Sequence, residues 1–138
     1  SKILAKNLRY EDKREILSAS GTLPIVAISY GISESDLCFT ICNVQDIPIA
    51  IFGVNKVGAI WFLATPEIEK ISIPFLRECR GVVDTFNKKY PLLWNYVDAR
   101  NDLHIKWLKF CGFKFIRKLN YGVLNQPFYE IAKLCVNQ

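Results

Sequence analysis

LLWNYVDARNDLHIKWLKFCGF, residues Leu92–Phe113, is the stretch from which the fold is read. Leu92–Val97 follows the Tyr90-Pro91 break and is rich in aromatic and branched residues, which predicts a strand. A polar turn comes next. Asp102 is a candidate N-cap, or a first-turn acid if Asn101 is the cap. The helix over about Asp102–Cys111 sets Ile105, Leu108 and Cys111 on one face, with Lys106 and Lys109 opposite. Gly112 can adopt the left-handed conformation that ends a helix, and Phe113 starts another strand.

Working outward, Ile73–Lys89 is the clearest helix upstream. Phe75, Leu76, Cys79, Val82, Val83 and Phe86 form its apolar stripe. Pro74 fits its first turn and Ser72 is a candidate cap. Before it, Leu37–Val44, Ile47–Val54 and Ala59–Thr65 predict a three-stranded antiparallel meander, turning at Gln45-Asp46 and Asn55–Gly58. Pro48 costs little at a strand start. Earlier still, Lys2–Lys6 predicts a short strand, followed by a helix ending near Ala19 and a second over Leu23–Ser33. Downstream, Phe113–Leu119 and Phe128–Lys133 predict two strands around a loop at Asn120–Gln126. The expected order is strand, two helices, three strands, helix, strand, helix, two strands.

The composition fits one folded domain over residues 1–138. Half of it is hydrophobic (51%) and only 22% is charged, too apolar for a disordered chain. No apolar run approaches the ~18 residues of a membrane span. No basic-apolar-small leader pattern opens the sequence, so a cytoplasmic location is expected. Five cysteines with no two-residue spacing, beside a single histidine, do not make a zinc site, and no metal is expected. Free thiols are the expected state. The net charge of +5 is scattered, so a nucleic-acid face is not expected, although an anionic ligand is compatible with it.

The quoted stretch also carries a resemblance. Asn101, His104-Ile105, Leu108 and Gly112-Phe113 are similar to the N-x-x-A-I-x-L-Y-x-K-x-G-F segment of GCN5-related N-acetyltransferases, the GNAT superfamily. A longer run resembles the acetyltransferase-like family of short-tailed-phage proteins that includes the internal virion protein A of T7-like phages. That run is Trp61–Thr65, Phe75-Leu76-Arg77, Arg80, Tyr90–Leu93, Asn95, Val97–Asn101, His104-Ile105, Trp107-Leu108 and Gly112-Phe113. The resemblance implies a GNAT-like α/β (α+β) fold. Its central mixed, mostly antiparallel sheet would have about six to seven strands flanked by about four helices.

In the resembled superfamily acyl-CoA enters a gap between the fourth and fifth strands, here Ala59–Thr65 and Leu92–Val97. Its pantetheine pairs with the fourth strand's backbone, and its pyrophosphate sits on the N–H groups of the following loop and helix start. The resemblance therefore implies acetyl-CoA or another acyl-CoA as cofactor and an amine as acceptor. Leu63, Ala64, Thr65, Arg77, Arg80 and Asn101 become candidate cofactor-binding residues. Two departures stand against this. Residues 65–74 contain no glycine but hold Pro66, Pro74, Glu67 and Glu69, which remove donors or repel phosphate. Leu108 occupies the place of the superfamily's proton-donating tyrosine. His104 is the remaining candidate for acid–base work. Asp98 and Arg100 are expected to pair at the turn. The alternative reading is a non-catalytic protein of the same fold, bound to phage virion or host proteins and located in the host cytoplasm or the virion.

Overall fold

The computed structural model describes residues 2–70 and 73–135. Three helices open the chain: α1 (Lys2–Asn7), α2 (Tyr10–Ser20) and α3 (Pro24–Glu34). Strands β1 (Ser35–Cys42), β2 (Pro48–Asn55) and β3 (Ile60–Ala64) form the meander, and a 3₁₀ turn follows at Pro66–Lys70. Helix α4 (Ile73–Lys89), β4 (Leu92–Asp98), α5 (Asp102–Phe110), β5 (Lys114–Tyr121) and β6 (Gln126–Leu134) complete it. The expected order holds except at the start. Lys2–Lys6, expected as a strand, lies in helix α1. Leu4 and Ala5 are buried there, and α1 packs on α3 and β2. Leucine, alanine and lysine favour a helix, and tertiary burial decides so short a segment. Ser72, the candidate cap of α4, lies outside the described residues. Among those residues no single helix is long and apolar enough to cross a membrane.

The six strands form two three-stranded sheets, β1-β2-β3 and β4-β6-β5, with every ladder antiparallel. A parallel bridge between Ala59 and Trp94 joins them. There the Trp94 N–H donates to the Gly58 carbonyl at 3.0 Å, and the Trp94 indole donates to Val57 at 2.9 Å. Gly58 has φ +83°, and a Cβ on it would lie 2.4 Å from the Leu92 carbonyl oxygen, so only glycine fits this join. Beyond the join, β3 and β4 share no ladder and a cavity opens between them.

The main core runs between the sheets and α4 and α5. Phe52, Phe62, Phe86 and Trp107 centre it, with Trp107 stacked on Phe62 at 4.4 Å between centroids. Fully burying each such ring contributes roughly 1.5–3 kcal/mol. A second cluster, holding Leu4, Leu8, Ile16, Ile28, Ile51 and Leu63, seats the three opening helices on the other face of the meander. Asn101 caps α5. Its C-terminus closes with Phe113 N–H to the Leu108 carbonyl and Gly112 N–H to that of Lys109, around Gly112 at φ +93°.

Candidate functional site

The gap between β3 and β4 is built by register. Thr65 N–H donates to the Ile49 carbonyl, so the 49/65 pair is hydrogen-bonded across β2 and β3. Alternation then points the backbone of Ile60, Phe62 and Ala64 away from β2 and toward β4. Much of that edge is taken from within the chain. Asn95 donates its side-chain N–H to the Ile60 carbonyl at 2.5 Å. The Ala64 N–H donates to Asp12 Oδ2 at 2.9 Å, and the Arg9 N–H donates to the Ala64 carbonyl at 2.8 Å. On the facing strand, Asp98 N–H donates to Glu15 Oε1 at 2.7 Å. Asp12 and Glu15 are three apart on α2 and share a face. One helix thus holds the last residue of β3 with one carboxylate and that of β4 with the other.

The carboxylates are buried in a polar cluster. Asp12 Oδ1 accepts from the Asn101 side chain at 2.8 Å and from the Arg9 guanidinium at 3.2 Å. Arg9 also reaches Asn101 Oδ1 at 3.2 Å. His104 Nδ1 stands 3.2 Å from Glu15 Oε2. Burial raises the pKa of the Asp12 carboxyl, helped by Glu15 and opposed by His104, Asn101 and Arg9. Burial works against a charged His104, but the Glu15 and Asp12 carboxylates outweigh it and hold the imidazole above its ordinary value. Beside the cluster, Arg100 pairs with Asp98 at 2.7 Å as expected, and this pairing outweighs burial to lower the Asp98 pKa.

Asp12, Glu15 and His104 bring ligand-type atoms within 4.8 Å of one another. Their carboxylate oxygens already face N–H donors, including a guanidinium, an arrangement that repels a cation. Cys38, Cys42, Cys79 and Cys111 are free thiols. Burial raises the Cys79 thiol and pushes Cys111 up to about 12, which makes both unreactive.

One hollow reaches this cluster at Glu15 and His104, and another lies across Trp107 from it. A cavity of about 370 Å³ is lined by Glu15, Tyr30, Glu34, Tyr96, His104 and Tyr121 among others, with no lysine or arginine. A groove of about 310 Å³ lies between the 3₁₀ turn, α4 and α5, walled by Ile68, Leu76, Cys79, Leu103 and Phe110. Trp107 lines both.

The predicted residues fall into two groups. Leu63, Ala64, Thr65, Asn101 and His104 are buried at or beside the gap. Arg77 and Arg80 are exposed on α4 and line neither hollow. Leu108 is buried beside His104 on α5. Sequence reading missed Arg9, Asp12 and Glu15. The available signal was an acid pair at helical spacing in the helix expected to end near Ala19. The resemblance would place pantetheine on the β3 backbone, where the Ala64 N–H and carbonyl are already bonded within the chain, and the turn after β3 holds Glu67 and Glu69.

The family described as bacteriophage T7, probable scaffold protein Gp13, matches residues 38–119. The probable scaffold protein gp13 of Escherichia phage T7 is 33% identical over 86 residues, 59% of this chain. The match spans 61% of that relative's length. A ribosomal-protein-S5-alanine acetyltransferase from Vibrio fischeri superposes with a TM-score of 0.65 at 13% identity, over 98% of this chain and 87% of its own. A spermidine N-acetyltransferase from Vibrio cholerae, solved with CoA and spermine, gives 0.58 at 13% identity, over 80% and 72%. These two likenesses show the GNAT fold and nothing about activity.

Proposed function

The chain belongs to the family of the bacteriophage T7 probable scaffold protein Gp13, and from that premise we propose that it is a non-catalytic assembly protein built on the acetyltransferase fold. It acts by binding phage proteins. The observation that carries this reading is at Ala64, whose backbone N–H and carbonyl are held by Asp12 and Arg9. The strand edge offered to a cofactor in the acetyltransferases here belongs to the protein itself. Leu108 in the tyrosine position and the glycine-free turn after β3 agree with it.

Calorimetric titration with acetyl-CoA and with desulfo-CoA tests this directly. No saturable heat and no thermal shift are expected. Micromolar binding would overturn the reading and return the chain to the enzymes.

A second reading, acyl transfer to an amine, keeps two observations in its favour. The Thr65 hydroxyl at the end of β3 is buried without a hydrogen-bond partner. The cavity between β3 and β4 carries two glutamates and three tyrosines and suits a cationic amine. The same titration decides between the two readings, because transfer requires the acyl donor to bind.

A further inference from the structure

The outer edge of β1 is open. In the sheet order β1-β2-β3, no strand among the described residues pairs with its far side. The β1–β2 register places Leu37, Phe39 and Ile41 opposite Val54, Phe52 and Ala50, whose backbones face β1. The N–H and carbonyl groups of Cys38 and Thr40 therefore point outward. Helix α1, formed by the segment expected as a strand, packs on α3 and β2.

Exposed edges are normally guarded by charge or proline. The other free edge, β5, carries Lys114, Arg117 and Lys118. On β1 the one charge, Asp36, lies at the bulge before Leu37 and is paired with Lys89, and the edge beyond it has no such guard. Residues 37–44, LCFTICNV, carry no charge and no proline. Register shifts at Ser35/Leu37 and Ile41/Cys42 confine its regular part to Leu37–Ile41. Phe39 stays 45% exposed, although its ring touches Phe52 and Phe86.

We infer that β1 pairs antiparallel with β1 of a second copy of this chain, about a two-fold axis at Thr40. The occupant is a second copy because the segment is self-complementary. With Thr40 opposite Thr40, Phe39 meets Ile41 of the second copy, and Cys38 meets its Cys42. These are a threonine pair and aromatic–β-branched pairs of the kind that stabilise neighbouring strands, with no like charges opposed. The two meanders then form one continuous six-stranded sheet. A strand pair buries less than the ~800 Å² per partner of a standard interface, so the dimer is concentration-dependent. The contact lies apart from the β3–β4 gap, so it stands whether or not that gap binds a cofactor.

Size-exclusion chromatography with light scattering, on the reduced full chain, is the test. A shift from 15.9 kDa toward twice that mass with rising concentration is expected. Thr40→Lys sets two ammonium groups against each other at an exposed position, and should leave a monomer of unchanged Tm at every concentration. Mild oxidation should cross-link wild type through Cys38 and Cys42, whose α-carbons would lie about 5.5 Å apart, within disulfide reach. A wild type that stays monomeric would overturn the inference. So would a dimer that survives Thr40→Lys, or a cross-link that maps away from Cys38 and Cys42.

Discussion

Asp12, a position the sequence does not draw attention to, ties three distant segments together. Its two oxygens reach Ala64 on β3, Asn101 at the α5 cap and the Arg9 guanidinium, all out of water. Removing one partner of a buried charged cluster strands the others. Asp12→Ala is therefore expected to lose about 3–5 kcal/mol in urea denaturation, whereas Asp12→Asn, which keeps an oxygen for Ala64, loses less. His104 is the titrating member. Its folded pKa lies above the unfolded value of about 6.5, so its contribution is complete below that pH and is lost as pH rises through the folded pKa. Asp98, lowered by Arg100, acts in the opposite sense and matters only in acid. Tm should fall from about pH 6.5 upward in wild type, and His104→Gln should flatten that limb. Equal slopes in the two proteins would remove His104 from the account.

At the scale of elements, the join of the two sheets rests on one turn. Gly58 accepts from Trp94, and a methyl group in its place would meet the Leu92 carbonyl. Gly58→Ala should cost more than the ~1 kcal/mol of an ordinary glycine replacement, with near-ultraviolet circular dichroism reporting loosening around Trp94. A stability within a few tenths of a kcal/mol of wild type would contradict this. The same scale separates what local sequence encodes from what it does not. Leu92–Phe113 was legible because its strand, its Asn101 cap and its Gly112 ending are set by residues next to one another. The meander was legible for the same reason, with turns at Gln45-Asp46 and Asn55–Gly58. Helix α1 was not, because six residues with two buried side chains take their conformation from α3 and β2. Nor was the cluster around Asp12, since nothing local distinguishes a buried acid from a solvated one. Its partners lie about ninety residues away.

At the scale of the whole molecule, an acetyltransferase fold and a phage scaffold family coincide in one chain. The fold supplies two sheets that part beyond Ala59–Trp94 and a pair of hollows on either side of Trp107. Helix α2 spans the ends of the parted strands, with Asp12 on Ala64 and Glu15 on Asp98. At Ala64 this strand edge is filled from within. The amide of Ala64, followed by NMR in ¹⁵N-labelled protein during addition of acetyl-CoA, reports whether that filling persists. A slowly exchanging Ala64 amide is expected, its shift fixed throughout the titration and its exchange faster in Asp12→Ala. A saturable shift of the Ala64 amide with acetyl-CoA in the wild type would show the edge to be a cofactor seat after all.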